Sequence, residues 1–195
     1  MSLSPTMHRQ TPSLQSYLDS IPKIAHNAWI HHSANIIGNV ILGEHSSVWC
    51  GVTIRGDVNH IQIGANTNIQ DNSVLHVSHK TALDPKGSPL SIGDNVTIGH
   101  GVILHGCQIG NECLIGMGSL IMDKVIVEPQ VLVGAGSLVA EGKVLLSGHL
   151  YLGRPAKLIR LLTSAELTYF KYSAQHYVDL ARQYKSQPSG EVTPN

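Results

Sequence analysis

The chain carries an unusual amount of imidazole: 12 of its 195 residues are His, against 13 Lys and Arg together. Histidine is the side chain that titrates near neutral pH, and in its neutral form it is the commonest metal ligand. Three of the twelve, His76, His100 and His105, stand in the segments TNIQDNSVLH and IGHGVILHG. Arg55 and Asp57 of an RGD segment precede them, as do Asn68, Gln70 and Asp71 of NIQD. Three neutral imidazoles with a fourth position open to water are the pattern of a catalytic zinc, which lowers the pKa of water from about 15.7 to about 7. Such a donor set suits Zn2+, and equally Fe2+ or Co2+. Local spacing alone does not build it. His100 and His105 are five apart, about 140° around a helix and on opposite sides of a strand.

The element that positions them is a repeat with a period of six. Apolar anchors recur at Ile30, Ile36, Leu42, Val48 and Ile54, at Ile63, Ile69 and Leu75, at Ile92, Ile98 and Leu104, and from Ile109 through Ile115, Ile121, Val127 and Val133 to Val139. A small or β-branched residue follows each by four, as at Ser46, Thr67, Val96 and Ser119. Six is neither a helical period nor a plain strand alternation. It belongs to a parallel β-helix with three short strands per coil, an all-β solenoid. Gly or Asn is expected at the tight corners, where φ turns positive. A thin prism has little room for rings, in keeping with an aromatic content of 5%.

Three interruptions break the sixes: between Ile54 and Ile63, between Leu75 and Ile92 (the 77–91 loop), and between Leu104 and Ile109, where one residue is missing. Breaks in a solenoid tend to gather on a functional face. Residues one coil apart stack at about 4.8 Å. Counting anchors puts His105 above His76, Arg55 below His76, and Asp71 below His100. His100 then fits best as a ligand to an ion held by His76 and His105 of a neighbouring subunit.

The segments IRGDVNHIQIG, TNIQDNSVLH, IGHGVILHGC, IGMGSLIMD, VGAGSLV and LGRPAKLIR together resemble the γ-class carbonic anhydrase family, in particular its bacterial YrdA-type members, over residues 20 to 185. The resemblance implies a left-handed β-helix, a homotrimer, and zinc held by His76, His100 and His105, with His100 crossing an interface. It implies reversible hydration of carbon dioxide to bicarbonate by a metal-bound hydroxide. Gln70 would orient the reactants, Arg55 and Asp57 would pair across the interface, Asp71 would fix a ring tautomer, and Asn68 and Tyr177 would line the pocket. The chain departs from the family pattern at the proton step. Where active members carry glutamates it has Val58, Asn59 and His60, then Ser78, His79 and Asp84. His79 is the candidate shuttle. Two alternatives stay open: a metal-dependent thioesterase or acyltransferase-like hexapeptide protein, and a catalytically silent metal-binding protein.

The expected organisation is an N-terminal extension at 1–20, the β-helix at 21–162, a helix at 163–185 and a disordered tail at 186–195. Thr163 with Glu166 is a capping box, and Leu167, Phe170, Ala174, Tyr177, Ala181 and Tyr184 mark the apolar face of that helix. A formal net charge of zero excludes a polyanion-binding field, so no nucleic-acid partner is expected. Cys50, Cys107 and Cys113 form neither a closed disulfide set nor a zinc-knuckle pattern. With no secretory h-region or membrane span in the sequence, the expectation is a cytoplasmic protein.

Overall fold

The computed structural model describes residues 11–187. The expectations for residues 1–10 and for the tail from 188 onward lie outside the described residues. The chain winds as a left-handed hexapeptide β-helix with three faces, closed by one C-terminal helix. The first face stacks Val74–His76, Ile103–His105, Leu120–Ile121 and Leu138–Val139 in parallel. The second stacks Leu90–Ile92, Gln108–Ile109, Ile126–Val127 and Val144–Leu145. Two longer strands, Asn35–Leu42 and Thr53–Ile63, bend from the first face into the second, with a register shift between Gly38 and Val40. The third face runs from Trp29–Ile30 through Ser47–Val48, Asn68–Ile69, Thr97–Ile98 and Leu114–Ile115 to Leu132–Val133 and His149–Gly153.

The hexad explains the core. Anchors such as Ile36, Ile54, Leu75, Ile98, Leu104 and Ile115 are fully buried, and so are the small residues at i+4. Each buried aliphatic side chain contributes roughly 1.5–3 kcal/mol of transfer free energy. The inward hydroxyls serve the corners. Ser46 Oγ donates to Gly64 O at 2.6 Å, Thr67 Oγ1 to Gly93 O at 2.8 Å and Ser73 Oγ to Gly99 O at 3.0 Å. Among the described residues no buried side-chain N or O lacks a partner.

Corner chemistry is more regular than composition implies. Positive φ falls three residues after the anchor, at His45, Asn66, Asn72, Asn95, Glu112, Lys124 and Gln130, or at a Gly such as Gly51 or Gly101. The glycines directly after anchors, such as Gly43, Gly64 and Gly93, are absent from this set. They serve close approach instead: a Cβ on Gly43 would collide with Gly64, and one on Gly64 with Gly93.

Part of the segment expected as an extension belongs to the solenoid, since Ser13–Gln15 pairs in parallel with Asn35–Ile37. The far end also departs from pure coil: Ala156–Leu161 returns antiparallel on His149–Gly153. The helix spans Ser164–Ser186, capped by Thr163, whose Oγ1 accepts from the Glu166 N–H while the Glu166 carboxylate accepts from the Thr163 N–H. It lies across the third face, from Leu114 and Leu132 at its start to Trp29 near its end. Its buried residues are Phe170, Ser173, Ala174, Val178 and Ala181. Tyr177 is only half-buried and Tyr184 is exposed, a correction to the expected apolar face. The rings that the prism core excludes sit under the helix: Trp49 packs at 5.3 Å from both Tyr177 and Tyr184, and at 4.7 Å from Trp29.

Candidate metal centre

The strand pairing puts His105 opposite His76 at the end of the first face. Their ring centroids lie 5.1 Å apart, and His76 Nδ1 faces His105 Nε2 at 3.1 Å. The outer nitrogen of each ring meets a carboxylate: His76 Nε2 lies 3.1 Å from Asp57 Oδ1, and His105 Nδ1 lies 2.8 Å from Asp123 Oδ1. Arg55 pins Asp57 through Nη1 to Oδ2 at 2.5 Å. That ion pair, implied by the resemblance to bridge two subunits, is made within one chain.

Counting protons shows what this geometry asks for. Three contacts need a hydrogen between two acceptors: Asp57 to His76, His76 to His105, and His105 to Asp123. Two neutral imidazoles supply only two. With both carboxylates satisfied, Nδ1 of His76 and Nε2 of His105 point lone pairs at each other. A cation between them removes the conflict, and two nitrogens 3.1 Å apart are compatible with metal–nitrogen bonds of about 2.0–2.1 Å. The donors present therefore fit an imidazole-bound metal ion.

The electrostatics agree. Burial pushes His76 below the ordinary imidazole range, the Asp57 hydrogen bond opposes this, and the Arg55 charge adds to the lowering. The lowering favours the neutral ring, the form that coordinates. Burial raises the Asp57 carboxyl, but hydrogen bonds from Arg55 and His76 outweigh it and leave the group below the usual range.

His100 sits elsewhere. It follows Thr97–Ile98 at the opposite edge of the first face, where its Nδ1 donates to Asp71 Oδ2 at 2.8 Å. The segment between them turns the corner at Gly101 before the strand Ile103–His105, and the two imidazoles have separate partners, Asp71 for His100 and Asp123 for His105. Among the described residues no three His, Cys, Asp or Glu side chains are grouped to hold a metal. The three imidazoles are thus divided between two edges, His76 with His105 on one and His100 on the other.

Around His100 the remaining candidates gather. Gln70 is buried and its Nε2 donates to Asn68 Oδ1 at 3.0 Å, while Asn68 Nδ2 donates to Thr97 Oγ1 at 3.1 Å. Thr97 Oγ1 and Ser173 Oγ of the helix are 2.9 Å apart, so the amide network is anchored to the helix. Tyr177 stands over Trp49, and burial and the nearby Asp71 charge raise its phenol pKa. For Asp71, burial raises the carboxyl, and hydrogen bonds from the backbone, Cys50 and His100 more than compensate. His79 is exposed on the loop. Sequence reasoning missed Asp123: two residues after the anchor Ile121, it stacks by count on Gly106 rather than on His105.

A family model for the bacterial transferase hexapeptide (six repeats) matches residues 89–121. The chain is 51% identical to Protein YrdA of Escherichia coli (strain K12) over 174 residues, 89% of this chain and 95% of that one. It is 49% identical over 175 residues to the mitochondrial gamma carbonic anhydrase 3 of Arabidopsis thaliana, covering 90% of this chain and 67% of the relative. A crystal structure of a hexapeptide transferase family protein from Anaplasma phagocytophilum superposes with a TM-score of 0.82 at 42% identity, covering 88% of this chain and 98% of that one.

Proposed function

Since the chain belongs to the hexapeptide-repeat family of YrdA and the γ-class carbonic anhydrases, we propose that it is a zinc-dependent carbonic anhydrase. In this reading it interconverts carbon dioxide and bicarbonate at an interface between subunits of a homotrimer. The observation that carries the reading is the proton shortfall at His76 and His105, whose facing nitrogens are 3.1 Å apart. A Zn2+ ion, or Fe2+ or Co2+ in its place, supplies Lewis acidity that makes water a nucleophile at neutral pH when bound.

The residues divide the remaining work. His76 and His105 present one nitrogen each, aligned by Asp57 and Asp123. A neighbouring copy brings His100, whose Nδ1 is committed to Asp71 and whose Nε2 is left to coordinate. Gln70 spends an amide N–H on Asn68, which leaves Oε1 to accept a hydrogen bond from the attacking water and fix its direction. Tyr177 and Trp49 form an apolar wall suited to a small uncharged gas molecule. Arg55 keeps Asp57 charged and in place. His79, exposed on the loop, passes the proton to buffer. A cytoplasmic setting completes the reading, supported by three free cysteines, of which burial pushes the Cys113 thiol up to about 12.

Stopped-flow hydration of carbon dioxide by protein loaded with zinc, cobalt or iron tests the proposal, with His76→Ala as control. A metal-dependent rate well above that of the control is expected, and a rate no higher than that of His76→Ala in any of the three metal forms would overturn it. The transferase naming of the Anaplasma relative favours one second reading, thioester hydrolysis or acyl transfer. It predicts turnover of acyl thioesters in place of carbon dioxide. Stoichiometric metal without either activity would mark a silent metal-binding protein.

A further inference from the structure

We propose that Asp123 is the positioning residue that locks His105 into its metal-presenting tautomer, and that Ser78 couples this carboxylate to the 77–91 loop. The proposal rests on the metal-centre reading above. Both oxygens of Asp123 are engaged: Oδ1 accepts from His105 Nδ1 at 2.8 Å, and Oδ2 accepts from Ser78 Oγ at 3.0 Å. A charged carboxylate only accepts hydrogen bonds, so it fixes the His105 proton on Nδ1 and leaves the Nε2 lone pair toward His76. The Asp123 side chain is 26% exposed, less than the imidazole it orients.

A second observation shows that space is kept for this contact. A Cβ on Gly106, the residue after His105, would collide with Asp123 Oδ1. The backbone on either side is tied down as well: the Gly106 N–H donates to His76 O at 3.0 Å, and Lys124 N–H donates to Gly106 O at 2.8 Å. The carboxylate therefore reaches the ring across a step in the coil that has no side chain.

Ser78 is the fixed root of the loop. Its backbone exchanges hydrogen bonds with Ser88 at 3.0 and 3.2 Å, and Asn59 Nδ2 donates to both Ser78 O and Lys86 O, at 3.0 and 2.9 Å. Further out, Lys124 pairs with Asp84 at 2.9 Å in solvent, an exposed pair of small value. The link from loop to ligand thus runs through Ser78 Oγ and Asp123.

Two readouts test this on the full chain. In metal-free protein with 15N-labelled histidine, NMR reports the His105 ring tautomer. Titration with Co2+, followed by visible absorption, reports affinity and ligand geometry. Asp123→Ala is expected to lose the single Nδ1–H tautomer, to bind Co2+ about 10- to 100-fold more weakly and to shift the absorption bands. Asp123→Asn keeps an oxygen for His105 and can donate its amide to Ser78 Oγ, so it should recover most of both signals. Ser78→Ala should weaken Co2+ binding only several-fold. Wild-type tautomer and Co2+ affinity in Asp123→Ala would overturn the proposal, as would an Asp123→Asn as impaired as the alanine variant. If Asp123→Ala does not fold, Ser78→Ala decides, and unchanged Co2+ affinity in it overturns the coupling. A wild-type protein that binds no Co2+ overturns the metal-centre reading instead, and the metal-free tautomer measurement then judges Asp123 alone.

Discussion

Two edges of the same solenoid, built on one backbone register, hold opposite kinds of polar chemistry. The edge bearing His76 and His105 is partly open and carries Asp57, Asp123 and Arg55 around two imidazoles, one proton short of satisfaction. The network along the helix-covered face contains Asn68, Gln70, Thr97 and Ser173, all neutral, buried and hydrogen-bonded to one another. The difference lies in what covers them. Under a helix, amides and hydroxyls find fixed partners, and an ion would be expensive to bury. At an open edge, carboxylates can stay charged and hold rings in a state that a cation completes. Rigid neutral groups therefore suit orientation of a reactant, and the charged edge suits ligation.

The largest expected effect comes from breaking the charged edge. His76→Ala or His105→Ala removes one of two facing nitrogens, and isothermal titration with Zn2+ should show affinity falling on the order of 100-fold or more, with the fold retained. Equal affinity in the variants would place the ion elsewhere. On the neutral network the expected loss is in stability. Asn68→Ala strands the Gln70 amide in a buried site and removes one of the two partners of the Thr97 hydroxyl, costing about 1–3 kcal/mol in denaturant unfolding. A change within error there would mean water replaces the lost partner.

Ser173→Ala sharpens the comparison at lower amplitude, because it cuts the hydrogen bond with Thr97 that ties the network to the helix. A loss near 1 kcal/mol is expected, with metal affinity unchanged, and weakened metal binding would show that the two regions are coupled. The smallest effect lies at the helix start. The Arg160 hydrogen bond and the Thr163 cap hold the Glu166 carboxyl down at about 2. Its folded pKa is below its unfolded value near 4.3, so its contribution is complete above that value and fades as pH falls toward 2. A carbon-detected NMR titration of Glu166 with a midpoint above 4 would contradict this.

Much of the fold is legible in the six-residue count, because large and small side chains must alternate into a core of fixed width. The pairing of His76 with His105, and of Asp71 with His100, follows from the same count, since one coil separates each pair. Asp123 was not legible as a partner of His105, because a five-residue step replaces six between Leu104 and Ile109 and the contact needs the empty space at Gly106. The placement of Trp29 and Trp49 was hidden too: it depends on where a helix distant in sequence comes to rest.

The sequence by itself determined the solenoid, its register and the imidazoles that stack, because hexapeptide periodicity is a local steric rule repeated along the chain. The tertiary structure decided which nitrogens face each other, which carboxylates hold them and which polar groups the helix seals. Those depend on side-chain directions and on contacts between residues far apart in the chain, which no spacing encodes.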